Sequence, residues 1–337
     1  MKLYNKQSLN EYHQSLTYDD ISLIPTEISR MKSRKEVDTS SNFLGIKLAV
    51  PIVSSPMESV TGIEMATELH SLGCLGIVNR FDSSLNDILN NSNIRKLNAI
   101  SIALNTPLDT IKKLSEGRKI ICIDTANANN REVLKKTELL KKNIKVKIIV
   151  GNIAHGASLK QLVDSGVDGV RVGIGSGSVC STSIQTGIGI GQVSSILDVF
   201  FARKESKLKI AIIADGGIKG AGDVAKAIAL GADAVMLGRL LAGTRETPGE
   251  VIRYSDQLWK KYRGSASFGV KMKNEFIEGE ETMVAYKGAV VNVVNAVSDG
   301  LRSSMSYMNC RTIEELRKIE TFAVLSNSSY LERLPKP

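Results

Sequence analysis

Eight short apolar runs separated by helix-period stretches restrict the fold of this chain more than any other feature. The runs are Ala49–Ser54, Cys74–Val78, Ala99–Ala103, Ile120–Asp124, Lys147–Val150, Gly169–Gly173, Ile210–Ala214 and Ala234–Gly238. Most are continuous in Val, Ile and Ala, the composition of parallel strands buried on both faces. Among the intervening stretches, Ser158–Ser165 and Ala221–Leu230 have helical spacing. In the second, Ala221, Val224, Ala225 and Ile228 share one face. Eight strands alternating with helices predict an α/β fold: a (β/α)8 TIM barrel forming one domain over residues 1–337, rather than an open doubly wound sheet.

A barrel of this kind carries its chemistry on the loops that follow the strands. Those loops read Ser54-Ser55-Pro56-Met57-Glu58-Ser59, Asn79-Arg80-Phe81, Asp124-Thr125-Ala126-Asn127, Gly151-Asn152, Asp215-Gly216-Gly217-Ile218 and Gly238-Arg239. The longest follows strand six and runs from Gly173 to about Gln192, with alternating glycines at Gly173, Gly175 and Gly177 and a thiol at Cys180. Glycines free the backbone to present N–H and C=O groups to a ligand. Hydroxyls and glycines surround Cys180 and offer little apolar wall, the setting of a reactive thiol rather than of a packed one. The glycines after strands seven and eight suit a phosphate cradle, with Ser178 adding a hydroxyl and Arg239 a charge; a tight turn is the other reading of Gly216-Gly217. Asp215 either accepts from ribose hydroxyls or caps the next helix.

Composition narrows the ligand. A net charge of +9 suits anions, but the basic residues are dispersed and aromatics are only 5%, which argues against a nucleic-acid platform and for a phosphorylated small molecule. Cys74, Cys122, Cys180 and Cys310 lie far apart without a CxxC pair, so neither a zinc site nor a disulfide framework is expected. The first residues contain no apolar leader core and no run reaches membrane-spanning length, so a cytoplasmic location without membrane association is the expectation. His13, His70 and His155 show no partner pattern and are read as structural. Tyr262–Gly288 lacks periodicity and is read as irregular, with a flap over about 264–288. Beyond it, Val290, Val294, Val297 and Leu301 have helical spacing, with Gly300 read as a stop signal.

Taken together and in order, these loops resemble the IMP dehydrogenase/GMP reductase family. The resemblance begins at Leu16–Pro25, continues through Ser54–Met57, Asp124–Asn127, GSGSVCSTSIQTGIGIGQ and IADGGI, and closes with YRG, EGEETMVAYKG and DGLRSSMSYM. It implies a thiol attacking C2 of a purine mononucleotide, with hydride passing between C2 and a nicotinamide. Cys180 matches the nucleophile, and Thr182 matches the loop threonine that assists proton transfer. Ser178, Gly217, Gly238 and Arg239 match the phosphate site, Asp215 the ribose ligand, and Ser55 and Met57 the nucleotide wall. Tyr262, Gly264, Ser265 and Ser267 of the YRG-SAS segment belong to the same substrate site. Asp124, Thr125, Ala126 and Asn127 match the nicotinamide side, and the carbonyls of Gly175, Gly177 and Cys180 match a potassium site.

The resemblance also bears on direction. The stretch from Phe81 to Ala99 is too short for the CBS module pair of the dehydrogenases, and the flap has no Arg-Tyr pair. Glu278-Gly279 matches the reductase Glu-Gly, and Asn127 is the reductase-like residue. The expected activity is therefore NADPH-dependent reductive deamination of GMP to IMP and ammonia through a Cys180 adduct, in a homotetramer. The alternatives are oxidation of IMP to XMP with NAD, a related purine ribo- or deoxyribonucleotide as substrate, or a barrel that binds nucleotide without catalysis. This sequence departs from the family pattern at Asn79-Arg80-Phe81, at Ser265-Ala266 and at Gly191.

Overall fold

The computed structural model describes residues 2–81, 89, 97–267 and 279–333. Eight strands make the central sheet: β1 Ile52–Ser54, β2 Ile77–Val78, β3 Ala99–Ile102, β4 Ile120–Asp124, β5 Lys147–Ile153, β6 Gly169–Val172, β7 Ala211–Asp215 and β8 Ala234–Leu237. Each pairs in parallel with its sequence neighbour from β2 to β8, and β8 returns to pair with β1. A parallel bridge between Val53 and Leu75 closes the remaining gap, with Leu75 N donating to Ile52 O at 3.0 Å and Ser54 N to Leu75 O at 2.9 Å. The result is the expected (β/α)8 barrel, in which closure leaves no strand edge to pair elsewhere.

Side chains alternate across each strand, which sorts the apolar residues into two clusters. Ile121, Ile123, Val150, Val170, Ile212 and Val235 face the surrounding helices. Val53, Ile77, Ala99, Ile120, Cys122, Ile149, Ile213, Ala234 and Met236 fill the barrel. A hairpin formed by Ser41–Phe43 and Ile46–Leu48 lies just before β1 in the chain, and its Phe43, Ile46 and Leu48 join the inner cluster. It therefore stoppers the barrel at the N-terminal ends of the strands. The same period of two carries the inner rows upward to polar residues: Ile120, Cys122 and Asp124 on β4, Gly169 and Arg171 on β6, Ile213 and Asp215 on β7. The stopper fills one end with hydrocarbon and leaves the chemistry at the other.

Two sequence expectations change. Residues 257–263 and 281–285, within or beside the stretch read as irregular, are strands of an antiparallel three-stranded sheet completed by Ile252–Tyr254. Gly300 does not stop a helix, since Val290–Tyr307 runs through it. A Cβ at Gly300 would lie 2.3 Å from Ala221 Cβ, so the glycine is there to let this helix close on Ala221–Ala229. Val290, Val294, Val297 and Leu301 are buried as their spacing predicts. Among the described residues no helix is long and apolar enough to cross a membrane.

Close helix–strand contact recurs before β2, where a Cβ on Gly76 would meet Ala66 Cα at 2.4 Å and Ala66 Cβ at 2.7 Å. Gly76→Ala must push the helix Ile63–Ser71 off the barrel wall. The expected cost is about 1–3 kcal/mol, read as a lower urea midpoint at unchanged slope.

Candidate active site

At the C-terminal mouth of the barrel the strand-end loops enclose a pocket of about 680 Å³, within the range of small-molecule sites. The sequence-predicted residues Ser55, Met57, Asp124, Thr125, Ala126, Gly175, Gly177, Ser178, Cys180, Thr182, Asp215, Gly217, Gly238, Arg239, Tyr262, Gly264 and Ser265 all line it. Asn127 does not: it is exposed, and its Oδ1 accepts from Asn129 N at 2.9 Å in a local turn. Ser267 is buried behind the wall, where its N–H donates to Gly264 O at 2.9 Å. Glu278 lies outside the described residues.

The cysteine loop leaves β6 at Gly173, whose φ is +140°. A Cβ there would strike Asp215 O at 2.1 Å and Gln192 Oε1 at 2.4 Å, so only glycine permits the turn. Gln192 anchors both ends of the loop, donating to Val172 O at 2.6 Å and accepting from Ser176 Oγ at 2.8 Å. Cys180 is half-buried, and its thiol donates to Thr182 Oγ1 at 3.2 Å. Its backbone forms an antiparallel bridge with Gly279, next to a bond from Glu280 N to Val179 O at 2.9 Å. Gly264 N in turn donates to Glu280 O at 2.9 Å. The loop that carries the thiol is thus stitched to Gly279 and Glu280, and through Glu280 to Gly264.

The two walls of the pocket differ. On the β8 and β1 side, Ser178 Oγ and Tyr262 Oη share a hydrogen bond of 3.3 Å, beside Gly238 and the exposed guanidinium of Arg239. Burial pushes the Tyr262 phenol up, against the opposing effect of the Ser178 bond. Lys287 donates to Arg239 O at 2.8 Å and Leu240 O at 3.1 Å; burial, then the charge of Arg239, lower its pKa. The Arg239 guanidinium and the hydroxyl and backbone donors beside it suit an anion here. On the far side of the barrel, β4 ends in Asp124. Its Oδ2 accepts from Arg80 Nε at 3.0 Å, and the Arg80 guanidinium rests over the Phe81 ring.

Between the walls lies a group that the sequence reading did not single out. Arg171 is buried on the inner face of β6 and spans from Asp124 Oδ1 at 2.6 Å to Asp215 Oδ2 at 2.9 and 3.1 Å. Burial opposes its charge, but Asp215 and Asp124 outweigh burial and hold the guanidinium more firmly protonated than usual. Asn152 Nδ2 adds a further donor to Asp215 Oδ2 at 2.9 Å. A Cβ on Gly151 would lie 2.4 Å from Arg171 Cβ, so Gly151 supplies the space in which the arginine lies. Asp215 therefore faces charge partners and does not cap the next helix, whose N-cap is Gly220 and whose first turn holds Asp223, with its Oδ2 accepting from Lys219 N at 2.9 Å. The available signal was an arginine inside a Val-rich strand, a position tolerated only when the charge is paired. All four cysteines are free thiols; burial pushes Cys74 and Cys122 up to about 12 and Cys310 to about 11.

A family described as "IMP dehydrogenase / GMP reductase domain" matches residues 15–336. The inosine-5'-monophosphate dehydrogenase of Thermoplasma acidophilum is 43% identical over 230 residues, covering 65% of this chain and 47% of that protein. The chain thus spans about half the length of that relative. The GMP reductase of Bacillus licheniformis is 32% identical, covering 93% of this chain and 97% of its own. The inosine-5'-monophosphate dehydrogenase of Cryptosporidium parvum is 31% identical, covering 95% and 94%. With a family match across nearly its whole length and a barrel mouth that gathers the thiol, the Ser178–Tyr262 wall and the paired carboxylates, the chain belongs to the IMP dehydrogenase/GMP reductase family.

Proposed function

We propose that the protein is a purine nucleotide oxidoreductase acting in the reductase direction: GMP and NADPH, with two protons, give IMP, ammonium and NADP⁺. The phosphate sits against Ser178, Gly217, Gly238, Arg239 and Tyr262, and the ribose against Asp215. Cys180 adds as thiolate to C2 of the base, which Ser55, Met57, Gly264 and Ser265 enclose. Thr182 Oγ1, the acceptor for the thiol hydrogen at 3.2 Å, relays that proton by passing its own hydroxyl hydrogen on to Glu278, which leaves Cys180 as the attacking thiolate. Glu278 directly precedes Gly279, the bridge partner of Cys180, and is assigned the proton transfer that lets the 2-amino group leave as ammonia. Asp124, Thr125 and Ala126 lie across the barrel from the phosphate wall, so the nucleotide leaves that part of the pocket free for a nicotinamide. When bound there, the reduced nicotinamide supplies hydride to C2. Cys180 then departs with the electrons of the C–S bond, a step that a thiolate performs well. The carbonyls of Gly175, Gly177 and Cys180 are the proposed potassium ligands; Gly177 O accepts from Cys180 N at 3.1 Å and keeps its second lone pair for a cation.

The observation that carries the reductase reading is the clamp of Gly279 onto Cys180, together with a sequence that has no arginine from Ser265 to Gly288. Hydrolysis of the adduct, which the dehydrogenase direction requires, would have only Thr182 and the glutamates of that stretch to activate water. The second reading, IMP oxidation with NAD⁺, is favoured by the 43% identity of a dehydrogenase relative over 230 residues, against 32% over 320 residues for the reductase. Near-ultraviolet absorbance of the nicotinamide separates the two. Loss of signal with GMP and NADPH, with ammonia released, is expected; a rise with IMP and NAD⁺ reverses the direction, and silence in both assays removes both readings.

Cys180→Ala should abolish turnover and leave equilibrium binding of GMP intact; surviving turnover would exclude the covalent route. Native protein treated briefly with iodoacetamide at pH 8 should be alkylated at Cys180 first, as read by peptide mass mapping. Raised pKa values of about 11 to 12 leave the other three thiols with well under 1% thiolate there, and burial shields them. Their labelling should appear only on unfolding.

A further inference from the structure

Three donors converge on a single oxygen of the ribose-facing carboxylate. Arg171 Nε at 3.1 Å, Arg171 Nη2 at 2.9 Å and Asn152 Nδ2 at 2.9 Å all point to Asp215 Oδ2. A carboxylate offers about four acceptor positions over its two oxygens. Oδ2 is therefore saturated, and among the described residues Oδ1 is the oxygen left open. The carboxylate is also prevented from turning, because the same guanidinium is fixed at its other end to Asp124 Oδ1 at 2.6 Å.

We propose that Arg171 is a positioning and sugar-specificity residue: with Asn152 it saturates Asp215 Oδ2, so that the nucleotide sugar meets one fixed acceptor, Oδ1. This rests on the purine-nucleotide reading above. A ribose brings two neighbouring hydroxyls to Oδ1 and fills both of its lone pairs. A 2′-deoxyribose brings one and leaves a half-buried anionic acceptor unpaired, which a site of this kind rejects. A carboxylate free to rotate would share its oxygens between the remaining hydroxyl and water, and would lose that discrimination. The preference for ribonucleotide is thus set one residue behind the group that touches the sugar.

The test is equilibrium binding of GMP and 2′-deoxy-GMP by calorimetry, which needs neither turnover nor a known reaction direction. Wild type should favour GMP by about 10- to 100-fold, the range of one charge-assisted hydrogen bond. Arg171→Lys keeps the charge but replaces a planar fork with a point donor. Its ratio should fall towards unity, chiefly through weaker GMP binding. A loss confined to packing would weaken both nucleotides alike and leave the ratio unchanged, and that result would overturn the proposal. Because the ratio is taken on one sample, it does not depend on the folded fraction. If Arg171→Lys shows no cooperative melt, Asn152→Ala, which removes the third donor without changing charge, must lower the ratio; an unchanged ratio again overturns the proposal. Wild type that binds both nucleotides equally also overturns it. Wild type that binds neither removes the purine-nucleotide reading itself, and the proposal with it.

Discussion

The buried guanidinium of Arg171 is the interaction on which the rest of the site depends. An arginine inside a barrel is tolerated only when its charge is matched in place, and here two carboxylates from β4 and β7 match it. Neither acid is adjacent to it in sequence; the barrel order brings all three together. Removing one partner from such a group typically costs about 3–5 kcal/mol, since it strands a buried charge. The two carboxylates and the architecture therefore constrain one another. Asp215 cannot drift without exposing Arg171, and Arg171 cannot fit without the missing side chain at Gly151.

The thiol is held by a different logic. Cys180 lies on a loop with little apolar packing, so backbone pairing replaces side-chain burial. Gly279, Glu280 and Gly264 tie the loop from outside the barrel, while Gln192 and Ser176 tie it from beneath. On the proposed mechanism Cys180 adds to a carbon and later leaves, and a loop fixed by hydrogen bonds at its edges serves that cycle.

The barrel was legible because strands buried on both faces are written as unbroken Val/Ile/Ala runs, and those runs survive reading without a structure. Their ends were less so. Ala49–Ser54 shrinks to Ile52–Ser54 because Pro51 has no N–H to donate, although its carbonyl still accepts from Val235 N. The strand Glu281–Ala285 escaped because only Val284 in it is buried, which leaves no apolar alternation to detect. Gly300 was misread since a glycine that permits helix contact looks the same in sequence as one that ends a helix. In the site, residues flanked by glycine or lying after a strand could be found one at a time. Arg171 could not, because its meaning lies in two partners, 47 and 44 residues away.

The same machinery serves either direction of the proposed chemistry up to the covalent adduct, and this explains why fold, thiol and anion wall do not separate a reductase from a dehydrogenase. Addition of Cys180 to C2 needs the loop, Thr182 and the fixed sugar. The directions part at what next approaches C2: hydride in one, activated water in the other. Water activation requires a base held over the adduct, and the segments able to reach that position are those joined to the loop through Gly264 and Gly279. Residues 265–288 carry four glutamates and no arginine, and on the proposed reading these carboxylates manage the proton on the departing amine. On the proposed reading the direction depends on residues 265–288, which lie outside the barrel strands in sequence.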